Sequence, residues 1–317
     1  MERIFLTEHI HPDAVEMLQQ NFEVVQGTST AEADIIAQAQ GCSAILIRSA
    51  RITEAVMEGI PTLKAVAKHG IGVDNIDVAA ATRRGILVVN APFSNINAVA
   101  EHTVALLLAA AKLIVPMDRM TREGGFKKRT QFVTCELAGK TVGLMGLGRI
   151  AALVAKKLSG FDVKILAYDP YVSQERAAEL GVTLTDMDTV LRESRFISVH
   201  TPLTPETRGL IGKDAFAKMR KDAWLINASR GPVVDEAALI AALKSGEIGG
   251  AALDVFEQEP PADDNPLFSM DNVVLSPHNA ALSDNALRAM AMDSAQGLAD
   301  YLMGKRPQFP VNPDVLH

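Results

Sequence analysis

Short apolar runs alternate with stretches of helical spacing along almost the whole chain. In the first third, the runs at 4–6, 44–47, 63–67 and 86–89 read as strands, and "PDAVEMLQQ" and "TEAVMEGI" between them have helical spacing. Strand–helix–strand alternation predicts a parallel sheet covered on both faces. The segment "APFSN" at 91–95 breaks that rhythm, and a long helix is expected over 98–115. The rhythm then restarts, with strands expected at 141–145, 164–167, 196–199, 224–227, 251–255 and 273–275. A last helix over 283–303 has no strand of its own there, so it is expected to return to the first domain. The predicted division is 1–97 plus 283–317 for one domain and 98–282 for the other. The tail "KRPQFPVNPDVLH" is too rich in proline for a helix.

A length of 317 residues supports two domains, each with its own core. Hydrophobic residues at 48% and charged residues at 22% make an ordinary globular balance. A net charge of −7 argues against a nucleic-acid partner, which normally meets a basic face. Cys42 and Cys135 have no paired spacing, so neither a disulfide framework nor a zinc site is expected, and a reducing compartment, the cytoplasm, fits. The N-terminus meets charge within two residues and has no apolar signal core. "VALLLAAA" at 104–111 ends at Lys112, far short of the ~20 apolar residues of a membrane helix, and is expected to be buried. No membrane partner is expected. Glu8, His9 and His11 could hold a metal on paper, but they lie in a strand-to-helix loop with no further obvious ligand, so no metal is expected.

Two glycine loops compete as nucleotide sites: "HGIGVDN" at 69–75 and "GLGRIA" at 146–151. The second reads G-x-G-x-x-A, follows the strand "KTVGLM" and opens the helix "RIAALVAKKL". Gly146 permits the tight turn, Gly148 lets backbone approach a pyrophosphate, and the small Ala151 lets the helix pack close to the strand. The helix N-terminus offers unpaired N–H groups to phosphate. The next strand, "VKILAYDP", ends in Asp169, 23 positions after Gly146, where the dinucleotide fingerprint wants an acid for the ribose hydroxyls. That carboxylate would repel a 2′-phosphate, and no Arg or Lys follows it directly, so NAD is expected rather than NADP. A glycine turn with a surface aspartate is the competing reading; strand, loop, helix and acid in register make it the weaker one. The first loop lacks a smooth helix start, a small third residue and a following acid. Its glycines can still present N–H groups to a small anion, or merely make a turn before "NIDVAAATRRG".

Three strand ends carry residues of catalytic type: "LINASRG" with Arg230, "ALDVFEQEP" with Glu259 and "VVLSPHN" with His278. In open parallel sheets ligands bind outside the carboxyl ends of strands, so the three can converge. Arg230 can bind a carboxylate in bidentate fashion and polarise a carbonyl oxygen. His278 can give or take the proton as carbonyl and alcohol interconvert, with Glu259 on its other ring nitrogen fixing the tautomer. Each has a plainer reading: Arg230 capping a turn with Asp235, Glu257 competing with Glu259, and His278 as a structural histidine. Their joint placement behind a dinucleotide loop favours hydride transfer next to a carboxylate.

These residues, with "HGIGVDNIDVAAATRRGI", "NAPFSNINAVAEHTVALLLA", "HTPLTPETRGLI", "NASRGPVVDEAAL" and "SPHNAA" in order, resemble the D-isomer-specific 2-hydroxyacid dehydrogenases over nearly the whole chain. That group includes 3-phosphoglycerate dehydrogenase and glyoxylate/hydroxypyruvate reductase. The resemblance implies an α/β fold of two doubly wound parallel sheets, a Rossmann NAD domain inserted in a flavodoxin-like substrate domain, with a cleft between. It implies Arg230, Glu259 and His278 as the catalytic trio. It makes Gly146, Gly148, Arg149, Ile150, Asp169, Thr201, Ala228 and Asp254 the NAD contacts, places Ile71 near the nicotinamide, and gives Gly70 the substrate carboxylate. The substrate would be a small D-2-hydroxy acid or 2-oxo acid, and the protein a homodimer formed through its cofactor domain. Arg48 and Lys68 lie where phosphoglycerate enzymes tend to place basic residues and are expected either to meet a second acidic group or to form surface salt bridges. Phe93 stands where a small residue is expected. Longer phosphoglycerate dehydrogenases carry a regulatory domain after this core, and feedback through such a domain is not expected here. The same fold also serves NAD-binding corepressors, a reading from a different class. Formate oxidation is disfavoured because a Gln would stand at Glu259, and a serine hydrolase because no G-x-S-x-G occurs.

Overall fold

A computed structural model describes residues 1–316 as two compact units, Met1–Ile96 with Ala281–His317 and Asn97–Ala280. The first unit holds a five-stranded sheet of β1 (Arg3–Leu6), β2 (Glu23–Gln26), β3 (Ala44–Ile47), β4 (Ala65–Lys68) and β5 (Leu87–Val89). Its order is β2-β1-β3-β4-β5 and every pairing is parallel, the flavodoxin-like arrangement. Alternate residues of each strand enter separate cores on opposite faces. Phe5, Ile45, Ile47 and Val66 pack on one side; Ile4, Leu6, Ala44, Ala65 and Ala67 pack on the other. That second face is rich in alanine for a reason. The helix α12 (Asp284–Leu302) lays Ala291, Ala295 and Ala299 there, a stripe at four-residue spacing, and small residues on both sides let the helix approach the sheet closely. The following tail runs beside β5, where the Val88 N–H donates to Asn312 Oδ1 at 2.7 Å and the Val311 N–H to the Val88 carbonyl at 2.8 Å.

The second unit holds a seven-stranded parallel sheet: β6 (Thr141–Met145), β7 (Lys164–Tyr168), β8 (Thr183–Leu184), β9 (Phe196–Val199), β10 (Trp224–Asn227), β11 (Gly250–Leu253) and β12 (Val273–Leu275). The order β12-β11-β10-β9-β6-β7-β8 reverses direction between β6 and β9, the switch point of a Rossmann sheet. The helix α7 (Arg149–Leu158) follows β6, and α11 (Glu236–Ser245) follows β10 with Asp235 as its N-cap, the Ala238 N–H donating to Asp235 Oδ1 at 2.9 Å.

The expected long helix over 98–115 is instead two. The helix α5 (Ile96–Ala111) stops where Leu113 adopts left-handed backbone, φ 49°, and α6 (Ile114–Arg122) continues at a new angle. Pro116 sits in the first turn of α6, where a missing N–H does no harm. β2 and β8 were not legible because both are short edge strands with polar or half-exposed positions, and such strands lack the apolar run of a central one. No single helix among the described residues is long and apolar enough to cross a membrane.

Candidate functional site

The glycine turn after β6 is built for close approach. Gly146 adopts φ 94°, and a Cβ there would lie 3.1 Å from the His200 carbonyl carbon. Gly148 is the N-cap of α7, and a Cβ built on it meets nothing within 4 Å, so the space in front of this helix end is an open cradle. Arg149 and Ile150 form the first turn of α7. Asp169 follows β7 and faces the same turn: its Oδ2 accepts from the Leu147 N–H at 2.8 Å and its Oδ1 from the Tyr171 N–H at 2.9 Å. Thr201, after β9, carries a sealed Oγ1 with no hydrogen-bond partner among the described residues. Ala228 follows β10 and packs half-buried against the α7 side of the core. An open helix end, an acid beside it and an unpartnered hydroxyl across the switch point fit a dinucleotide.

The three residues of catalytic type sit beyond β10, β11 and β12. Asn227 ends β10 and folds the chain back: its Nδ2 donates to the Arg230 carbonyl at 3.0 Å, while its Oδ1 accepts from the Ser229 N–H at 3.0 Å. A Cβ on Gly231 would stand 1.8 Å from the Phe256 carbonyl oxygen, so only glycine lets the Arg230 turn lie against the segment leading to Glu259. Arg230 also donates from Nη1 to the Ser229 carbonyl at 2.7 Å.

Glu259 and His278 are in contact, with Oε2 and Nδ1 2.6 Å apart. Glu259 Oε1 accepts from the Phe256 N–H at 3.0 Å, which fixes the carboxylate plane. Burial alone would raise the Glu259 pKa, but the bond and charge of His278, the Phe256 N–H and the Arg230 charge outweigh it and hold the carboxyl below its usual range. An ionised carboxylate only accepts, so Nδ1 carries the hydrogen and Nε2 is left to exchange a proton. Glu257, the competing acid, is engaged elsewhere: its Oε2 accepts from the Glu236 N–H at 3.3 Å. His278 has φ 50°, an uncommon left-handed position for a residue with a side chain. Asp254 lies beneath this turn with no exposed side-chain surface. Its carboxylate takes donors from the protein: Ser276 Oγ at 2.6 Å, the Asn279 N–H at 3.0 Å and the Ala280 N–H at 2.9 Å. Burial would raise the Asp254 pKa, yet the bonds from His102, Ser276, Ala280 and Asn279 lower it on balance.

The remaining expected residues belong to the first unit. Gly70 follows β4 with φ 140°, and its carbonyl accepts from the Ala91 N–H at 2.9 Å. The Ile71 carbonyl accepts from Asn90 Nδ2 at 2.7 Å. Lys68 Nζ donates to the Arg48 carbonyl, and Arg48 Nη1 to the His9 carbonyl at 3.3 Å, which ties the two basic side chains to the same stretch of the first unit. Glu8 spans the Arg48–Ser49 N–H groups at 2.9 Å each, and these bonds with those from Ser49 and Thr7 outweigh burial to pull its pKa down to about 2. His11 accepts from the Asp13 N–H at 3.3 Å as a helix cap. His69 is buried and held neutral by that burial and by the Arg48 and Lys68 charges, its pKa lowered to about 4. His69 and the Asp254 network escape sequence reading, because nothing in residue spacing signals a long-range hydrogen bond.

Residues 104–280 match the family described as D-isomer specific 2-hydroxyacid dehydrogenase, NAD binding domain. A D-3-phosphoglycerate dehydrogenase of Archaeoglobus fulgidus is 43% identical over 98% of this chain and 59% of its own length. A glyoxylate reductase of Thermofilum pendens is 42% identical over 99% of this chain and 95% of its own. Among solved structures, an NADPH-dependent glyoxylate/hydroxypyruvate reductase of Sinorhizobium meliloti, in complex with NADP and malonate, superposes with a TM-score of 0.88 at 32% identity, covering 98% and 96% of the two chains. The chain belongs to the D-isomer-specific 2-hydroxyacid dehydrogenase family, and its second unit carries that family's nicotinamide-cofactor domain. It spans about three-fifths of the length of the first curated relatives it matches.

Proposed function

We propose that the protein is an NAD-dependent dehydrogenase that interconverts a small D-2-hydroxy acid and its 2-oxo acid. The observation that carries this reading is the Glu259–His278 pair at 2.6 Å, within the electrostatic reach of Arg230 and in the same unit as the cofactor cradle. Gly146, Gly148, Arg149, Ile150, Asp169, Thr201 and Ala228 would hold the dinucleotide, and Asp254, expected among these contacts, is buried and would support the site from beneath. Asp169 favours NAD over NADP, since a 2′-phosphate beside its carboxylate would meet like charge and the residues after it are Pro170 and Tyr171. When bound, the cofactor gives or takes the hydride. His278 Nε2 donates the proton to the carbonyl oxygen on reduction and takes it back on oxidation, while Glu259 holds the ring in one tautomer and steadies the imidazolium. Arg230 binds the substrate carboxylate and polarises the carbonyl. In the first unit, Gly70 offers backbone to the carboxylate, Ile71 borders the nicotinamide, and Arg48 and Lys68 serve a second acidic group such as phosphate.

The protein would act as a homodimer in the cytoplasm. The dimer is supported by apolar side chains left in solvent along one stretch of the second unit: Ile114 at 52%, Phe126 at 62% and Val133 at 86% exposure. Two free cysteines fit a reducing compartment. The test is NADH consumption with glyoxylate, hydroxypyruvate, phosphohydroxypyruvate and pyruvate, with NADPH in parallel. Turnover of one acid with NADH, lost in His278→Ala, is the expected result. Tight NADH binding without turnover of any acid would overturn the dehydrogenase reading in favour of a sensing role.

A further inference from the structure

His102 lies in the middle of α5, 174 positions before Ser276, yet its Nε2 is 3.0 Å from Ser276 Oγ and 3.4 Å from Asp254 Oδ1. The hydrogens in this cluster can be assigned. The Ser276 hydroxyl is spent on Asp254 Oδ1 at 2.6 Å, so the oxygen that faces His102 can only accept. Nε2 must then carry a hydrogen and donate. Asp254 also accepts from the Asn279 and Ala280 N–H groups at 3.0 and 2.9 Å, and its backbone carbonyl accepts from the His278 N–H at 2.7 Å. One buried carboxylate therefore grips the turn on both sides of His278, where the backbone is held at φ 50°. Such a conformation persists only where the surroundings over-determine it.

We propose that His102 is a positioning residue for His278, acting through Ser276 and Asp254 to hold the turn that sets the ring against Glu259. This rests on His278 being the proton donor and acceptor, but the coupling itself is a property of the fold. A fully buried carboxylate left short of donors turns toward other partners, and the turn it anchors moves with it. A displacement of about 1 Å at a reacting group can cost on the order of a hundredfold in rate.

The experiment compares His102→Ala, His102→Gln and the unaltered protein by three readouts: kcat and KM for the preferred 2-oxo acid, NADH affinity, and the proton NMR signal of the His278 Nδ1–H. That hydrogen lies in a 2.6 Å bond to a carboxylate and is expected far downfield. In His102→Ala, kcat is expected to fall about tenfold with KM and NADH affinity changed less than twofold, and the downfield signal to shift or broaden. His102→Gln, which restores a donor at similar reach, is expected to recover both. An Ala variant with unchanged kcat and unchanged Nδ1–H signal overturns the proposal, as does loss of turnover that Gln fails to rescue while the signal stays in place. If the unaltered protein turns over no 2-oxo acid but the signal still moves in the Ala variant and returns in Gln, the positioning role stands and the dehydrogenase reading falls.

Discussion

Two loops of this molecule share the letters Gly-x-Gly, a parallel strand before them and a doubly wound sheet beneath them, yet they are different devices. After β6, the second glycine is itself the N-cap of α7, so the first N–H groups of a ten-residue helix point into open space. After β4, the chain bends through Ile71 and turns at Asp74 and Asn75 before a six-residue helix begins at Val78, capped by Asp77. The first arrangement gathers several aligned donors and a helix end at one point; the second offers two turns of backbone and no dipole behind them. An acid marks the β6 loop as well: Asp169 faces it, with Oδ2 accepting from the Leu147 N–H. The two loops share their glycine spacing and differ in the helix start directly behind it.

The largest effect should show that neither loop does the chemistry. His278→Ala is expected to lower kcat about a thousandfold while NADH titration stays normal, since general acid–base residues contribute on that scale. A parallel loss of NADH affinity would mean the histidine turn belongs to the cofactor cradle. Next, Gly148→Val should still fold, with stability lowered by no more than about 1 kcal/mol for the poorer helix cap because its side chain enters open space, and yet weaken NADH about a hundredfold by displacing charge-assisted bonds to phosphate. Gly70→Ala should leave NADH affinity within about twofold, the size of a lost peripheral contact, and raise the KM of the acid. Equal losses of NADH in both variants would erase the distinction between the loops.

The third effect is on stability and marks the β4 loop. His69 is buried and neutral with its pKa near 4, whereas in the unfolded chain it protonates as pH falls through its ordinary 6.5. The unfolded state therefore binds the extra proton, and stability falls as pH drops from 6.5 towards 4, levelling below that. At one pH unit below 6.5 the penalty is about 1.4 kcal/mol, and His69→Gln is expected to remove that slope in urea unfolding at two pH values. The smallest effect refines the β6 loop: Asp169→Asn should shift preference about fivefold towards NADPH, measured as a ratio of kcat/KM, by removing the charge that repels a 2′-phosphate.

Both sheets were legible because central parallel strands such as "AILI" and "FISV" are continuous apolar runs between breakers. The order of β6, glycine turn, helix and Asp169 was legible as spacing. What escaped reading depends on tertiary company. "EVVQ" becomes β2 only because β1 lies beside it, and Leu113 breaks the long helix through a backbone angle that no propensity encodes. His102 looks like one more position in a greasy helix, and no spacing ties it to Asp254. Their link to each other through Ser276 exists only once β11, β12 and α5 are assembled.

The stripe of Ala291, Ala295 and Ala299 on α12 has a consequence in time. The alanine-lined face of the first sheet waits for a helix encoded after the whole of the second unit. On a ribosome, β1 to β5 emerge with that face covered only by the helix Pro12–Gln19, while the second unit is one unbroken stretch of chain. At roughly 5–20 residues per second the delay is about 10–40 s. The first sheet therefore completes its second face only after the second unit has been made.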